Sequence, residues 1–257
     1  MNTIDPETRQ DLRSEYPEVF RVTAIGGVLD LLLGIVKIGV GSVSHSQALV
    51  ADGVHSLSDL ASDALVIVAA RQAQAGPDDE HPYGHARIQT AAAVLLAVSL
   101  ALVATGIAWN SISVLWSTEM LPQAGYLALL IAAVSAVIKE GMYHYTSRSA
   151  RRLQSNLLKA NAWHHRSDAF SSLVVIAGVG GSIAGFPWAD PLAAVIVAAM
   201  IIQVAWKIGR EGYDELIDTG VSSDIVNRIS EEIRRVEGVT EMHQLRTRKM
   251  GSKIFAD

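Results

Sequence analysis

The chain has 257 residues, of which 50% are hydrophobic and 18% charged, and its mean hydropathy is +0.28, a balance that points to helices dissolved in lipid rather than a soluble domain. It contains no cysteine, which excludes a disulfide framework and a thiolate metal centre, so any metal must be held by imidazole and oxygen. A formal charge of −5 and a pI near 5.9 argue against a nucleic-acid partner, which needs a concentrated basic face.

In chain order, residues 1–21 are polar and of mixed sign, without the basic and apolar regions of a cleaved signal, and are expected to form a cytosolic leader. Six apolar segments follow, at about 22–42, 48–71, 88–114, 124–146, 161–185 and 189–209, each near the roughly 20 residues that a bilayer span requires. The stretches between them, "GSVSHS", "QAQAGPDDEHPYGHAR", "WSTEMLPQAG", "SRSARRLQSNLLKAN" and "GFPWADP", are read as loops. Residues 22–210 are thus expected to be a transmembrane domain. Residues 211–257 turn polar, with soluble-helix periodicity over Ser222–Val236, and are expected to be a separate cytosolic piece.

Lys and Arg precede the first span, flank the second and fourth loops and follow the sixth span, while the other three loops have none. The positive-inside rule then places both termini in the cytosol, with an even number of spans. Lys37 lies late in the first span and is read as snorkelling or lining a polar cavity.

The second span carries "ADGVHSLSDLASDALVI" and the fifth "ANAWHHRSDAFSSLVVI". Aligned, they pair His55 with His164, Ser58 with Ser167, Asp59 with Asp168 and Ser62 with Ser171. His and Asp stand four apart in both, which on a helix stacks them on one face a turn apart. Two such helices facing each other present two imidazoles and two carboxylates to one point. That donor set suits a borderline divalent ion, zinc above all, whereas calcium and magnesium prefer oxygen-rich shells. The plainer reading is interhelical hydrogen bonding, and its weight falls when the same pair occurs in two spans.

"HSLSD", "HHRSD", "DDEHPYGHAR" and "GVTEMHQLRTR" resemble, in order and spacing, the motifs of the cation diffusion facilitators, and the resemblance covers nearly the whole chain. It implies an all-α six-helix transmembrane bundle, a homodimer, proton-coupled export of a divalent metal, and a ferredoxin-like α/β cytosolic C-terminal segment. Carried over, the transport site is His55, Asp59, His164 and Asp168. His at the first position resembles zinc-preferring members; Asp there resembles a zinc/iron branch, and magnetosome-type transporters belong to the same family. A second metal site falls on Asp78, His81 and His85, in a loop that could equally be solvated, structural or regulatory. Arg87 matches a cation that pairs with an acidic residue after the sixth span, here Asp218. His243 matches a cytosolic metal position. The tail supplies a helix near 222–236, a strand around "TEMHQLRTRKMG" and the start of another at "SKIFAD", so the ferredoxin-like unit is expected to be incomplete, with His243's partner ligands beyond Asp257.

Other polar residues have lesser expected roles. Asp52 and Asp63 continue the face of Asp59 and are candidates for an ion path or for capping and helix contact; His165 supports the site or an interface; Arg166 balances Asp168; His45 is solvated. The expected function is divalent-metal efflux in exchange for protons, zinc first, with iron, manganese, cobalt, nickel or cadmium as alternatives, in a bacterial inner membrane and with no organic cofactor. A membrane metallohydrolase and a non-transporting scaffold are the readings from other classes.

Overall fold

A computed structural model of the chain describes the backbone of residues 6–72, 86–117, 123–152, 156–250 and 253–257. Six long helices come first: α1 (Pro6–Val43), α2 (Gln47–Gln72), α3 (Ala86–Trp116), α4 (Tyr126–Arg152), α5 (Asn156–Ile183) and α6 (Ala189–Leu216). A short helix α7 (Ser223–Arg234) and two strands, β1 (Thr247–Met250) and β2 (Lys253–Ala256), complete the order. The protein is therefore helical with a small α/β C-terminal segment.

Among the described residues, four helices are long and apolar enough to cross a membrane: Arg21–Val43 within α1, Thr90–Trp116 within α3, α4 and α6. Large apolar side chains such as Leu95, Leu102, Val137 and Trp206 are exposed, as lipid-facing residues are. Of the six expected spans, the other two fall on α2 and α5, helices of 26 and 28 residues, long enough to cross a bilayer. Both carry the repeated His and Asp.

The helices are longer than the apolar segments. α1 is helical through residues 6–21, ahead of the first apolar segment. The stretch 147–161, read as a loop, is helical up to Arg152 and again from Asn156. Arg, Leu, Lys and Ala propagate a helix well, so the bilayer fixes where the apolar residues stop and not where the helix does.

The chain forms two compact units, Met1–Leu60 with Ala104–Ile201, and Ala61–Val103 with Ile202–Asp257. In the first, α4 packs along α5 and α1 packs on α4. Val22, Ala150 and Leu158 form a buried apolar cluster among those three helices. α1 and α2 cross closely at Gly53, where a Cβ would stand 2.8 Å from Ile38 Cγ1 and 2.9 Å from the Gly34 carbonyl oxygen, so only glycine fits. The α2 N-terminus is capped twice: Ser46 Oγ accepts from Leu49 N–H at 3.1 Å, and Asp190 of α6 accepts from Ser46 Oγ at 2.6 Å and Gln47 N–H at 2.7 Å. α5 ends in a left-handed Gly185, φ 101°, with Phe186 N–H bonded to Gly181 O, a Schellman closure.

In the second unit, Arg87 Nη2 of α3 donates to Asp218 Oδ1 at 2.5 Å and its Nη1 donates to the Leu216 carbonyl. Thr90 Oγ1 donates to Glu215 Oε1. Asp218, at φ 57°, is the left-handed residue that closes α6, with Thr219 N–H bonded to Asp214 O. β1 and β2 pair antiparallel, with Thr247 opposite Ala256 and Met250 opposite Lys253. The expected strand starts later than its sequence suggests. Gln244 turns left-handed at φ 52°, which breaks the extended run, and residues 240–246 lie outside the sheet. The isoleucines 225, 229 and 233 of α7 line an apolar groove with Ile254 and Ala256.

Candidate metal site

α2 places His55 and Asp59 one turn apart, and α5 does the same with His164 and Asp168. The structure brings all four together. Asp59 Oδ2 lies 3.9 Å from His55 Nε2 and 3.8 Å from His164 Nε2, and His164 Nε2 lies 3.9 Å from Asp168 Oδ2. His55, Asp59 and Asp168 offer ligand atoms that all fall within 4.8 Å of one another. These three are buried, whereas the His164 side chain is 42% exposed and forms the open edge of the cluster.

The chemistry of the set fits a small divalent cation. Asp59 Oδ2 and His55 Nδ1 are buried without a hydrogen-bond partner, a costly state unless something else satisfies them. Donors bound tetrahedrally to zinc stand about 3.3–3.5 Å apart, given metal–ligand bonds of about 2.0–2.2 Å. The observed 3.8–3.9 Å separations are wider by about half an ångström, within side-chain adjustment.

Beside this cluster lies a feature absent from the sequence reading. Lys139 of α4, fully buried, reaches Asp168 Oδ2 at 2.6 Å and Asp30 Oδ1 of α1 at 2.5 Å. The signal was present: Asp30 and Lys139 are opposite charges inside apolar segments one and four, where each needs a partner. Asp30, His165 and Asp168 form a second group with ligand atoms within 4.8 Å, and both ring nitrogens of the buried His165 lack hydrogen-bond partners. A Cβ at Gly26 would meet the His165 ring at 3.2 Å, so α1 lies directly against it.

The expectations for Lys37 and Arg166 are corrected, and the other polar residues take the following places. Lys37 neither snorkels nor lines a cavity: it is 1% exposed and pairs with Asp52 Oδ2 at 2.7 Å. Asp52 also accepts from Ser171 Oγ at 2.9 Å and Ser172 Oγ at 3.2 Å, contacts that join α2 to α5. Arg166 does not balance Asp168; it donates to Tyr143 Oη at 3.1 Å and lies over the Tyr143 and Trp163 rings, while Lys139 neutralises Asp168. His45 is exposed at the left-handed end of α1, φ 54°. His243 is exposed with Glu241 Oε2 at 2.9 Å, and among the described residues it joins no cluster of three potential ligands. Asp78, His81 and His85 lie outside the described residues, as does the Asp63 side chain.

Comparison with known proteins gives two family matches: the cation efflux transmembrane domain over residues 23–217 and the cation efflux protein cytoplasmic domain over 221–257. Metal tolerance protein C1 of Arabidopsis thaliana is 35% identical over 98% of this chain, which spans 56% of that relative's length. The manganese efflux system protein MneS of Bacillus subtilis is 28% identical over 88% of this chain and 78% of its own. The magnetosome protein MamM of Magnetospirillum gryphiswaldense is 29% identical over 91% of this chain and 74% of its own. With the cation efflux domain matched along most of its length, the chain belongs to the cation diffusion facilitator family, whose members are membrane transporters and not enzymes.

Proposed function

We propose that the chain carries a divalent metal cation out of the cytosol in exchange for protons, with zinc as the first cargo, and that His55, Asp59, His164 and Asp168 hold the ion in transit. The observation that carries this reading is the buried, unpartnered Asp59 carboxylate oxygen with an imidazole nitrogen from each of two helices within 4 Å. Two imidazoles and two carboxylates suit zinc and tolerate cobalt, nickel and iron by the usual affinity order. Manganese is the second cargo to consider, because one relative is named for its efflux.

Exchange follows from ligand chemistry. An imidazole binds metal only when neutral and a carboxylate only when ionised, so protons and metal compete for the same atoms. Metal loads from the side poor in protons, and protons displace it on the acidic side. The matched cytoplasmic domain supports a homodimer with the C-terminal segment in the cytosol, and the Lys and Arg distribution supports a cytosolic N-terminus in a protein of the bacterial inner membrane. Asp78, His81, His85 and His243 are proposed as accessory cytosolic metal ligands on the motif resemblance alone.

Proteoliposomes holding a metal-sensitive dye, with a pH dye on the opposite side, test the reading. Metal entry coupled to proton counterflow supports it. Retention of both dyes' signals, or hydrolysis of a substrate without flux, would overturn it.

A further inference from the structure

The buried Lys139 ammonium sits where a cation is called for. Asp30, His165 and Asp168 would form a cation position by themselves, and its occupant is the protein's own Lys139, at 2.5 Å from Asp30 and 2.6 Å from Asp168. Asp168 belongs to both groups: the one with Asp30 and His165, and the one with His55 and Asp59. An incoming ion and Lys139 therefore meet at one carboxylate.

Counting charge shows what the lysine does. With the imidazoles neutral, as ligation requires, Asp30, Asp59 and Asp168 supply three negative charges and Lys139 one positive. Two negative charges remain, the complement of one divalent cation. The Lys37–Asp52 pair nearby is neutral and changes nothing in the sum. Without Lys139 the buried set would carry three uncompensated negatives; without Asp30 it would carry one. Uncompensated buried charge is expensive, so a set that closes to zero with a single M²⁺ favours that ion over a monovalent or a second divalent one.

We propose that Lys139 is a tethered counter-cation for the transport site: it bridges Asp30 and Asp168 when no cargo is bound, and shifts onto Asp30 when a divalent ion takes Asp168. Lys139 and Asp30 touch no cargo and act as positioning residues through charge. This rests on the reading of His55, Asp59, His164 and Asp168 as the cargo ligands.

The test is Zn²⁺ binding to the full-length protein in detergent, measured against a chelating dye, in a background with His81, His85 and His243 changed to Ala. Lys139→Met should bind Zn²⁺ at least about tenfold more tightly and Asp30→Asn at least about tenfold more weakly, because each changes by one unit the buried charge facing the ion. The double variant Lys139→Met/Asp30→Asn should return to within about threefold of the parent, because Asp59 and Asp168 then supply the same two net negative charges to the ion. A merely structural pair would move both single variants in the same direction. Shifts of the same sign, no shift, or a double variant as displaced as a single one would overturn the proposal. If one single variant does not purify folded, the other against the double decides on the same criterion. Asp59→Asn separates the two claims. Binding that survives it would refute the four-residue site, whereas binding lost in Asp59→Asn with same-sign shifts at Lys139 and Asp30 would refute the counter-cation alone.

Discussion

Asp59 Oδ2 lies 3.8 Å from His164 Nε2, a carboxylate of α2 facing an imidazole of α5 with no proton donor satisfying the oxygen. The contact joins the two copies of one sequence pattern, and a cation between them would supply what each lacks. Asp59→Ala or Asp168→Ala should cut zinc flux in proteoliposomes by more than about 100-fold, since the ion loses one of its four donors and one of its two carboxylate charges. The inserted protein should still elute as a single folded species. Flux near the wild-type rate in either variant would end the assignment.

Changing His55 to Asp exchanges one nitrogen ligand for a harder oxygen and adds a negative charge. The ratio of zinc to manganese initial rates should fall by about tenfold or more, with iron(II) gaining relative to zinc. The pH dependence should weaken on the loading side, because one of the two imidazoles whose protonation opposes the metal is gone. An unchanged or rising zinc-to-manganese ratio would remove His55 from the ligand set.

Arg87 and Asp218 are 39% and 45% exposed, so solvent screens their ion pair and its worth is about 0.2–1 kcal/mol. A double-mutant cycle on thermal stability should give a coupling in that range, and Arg87→Glu should be partly rescued by Asp218→Arg. Asp218 also holds the left-handed end of α6 at φ 57°, a conformation that Asn tolerates and Ala does not. Asp218→Ala should therefore destabilise more than Asp218→Asn. Equal losses would show that the backbone conformation contributes nothing.

Asp190 tethers α6 to the start of α2 by accepting from Ser46 Oγ and Gln47 N–H. Asp190→Ala should cost about 0.5–2 kcal/mol, as loss of a capping side chain does. In a chain of this size that lowers the melting temperature in detergent by about 2–4 °C per kcal/mol. A melting temperature equal to wild type would show that Ser46 alone caps α2.

Much of the site was legible because its signal is local. His and Asp four apart define a helix face without reference to any other part of the chain, and the repetition on a second helix names the partner. The long helices were legible from apolar length, but their ends at 147–161 were not, since helix propensity outruns hydropathy there. The pairings Lys37–Asp52 and Lys139–Asp30–Asp168 were missed because each joins single charges on different helices, and no periodicity records which of several buried ions will meet. Arg166 was misplaced for a related reason: sequence proximity suggested Asp168, whereas rotation along α5 turns its guanidinium onto Tyr143 and Trp163.

The most direct test of the account is X-ray absorption at the zinc edge on detergent-purified protein carrying one Zn²⁺ per chain, with His81, His85 and His243 changed to Ala. The account predicts a shell of four nitrogen or oxygen neighbours at about 2.0–2.1 Å that includes two imidazoles, falling to one in His55→Asp. A six-coordinate oxygen shell without imidazole scattering, or a spectrum unchanged by Asp59→Ala and Asp168→Ala, would contradict it.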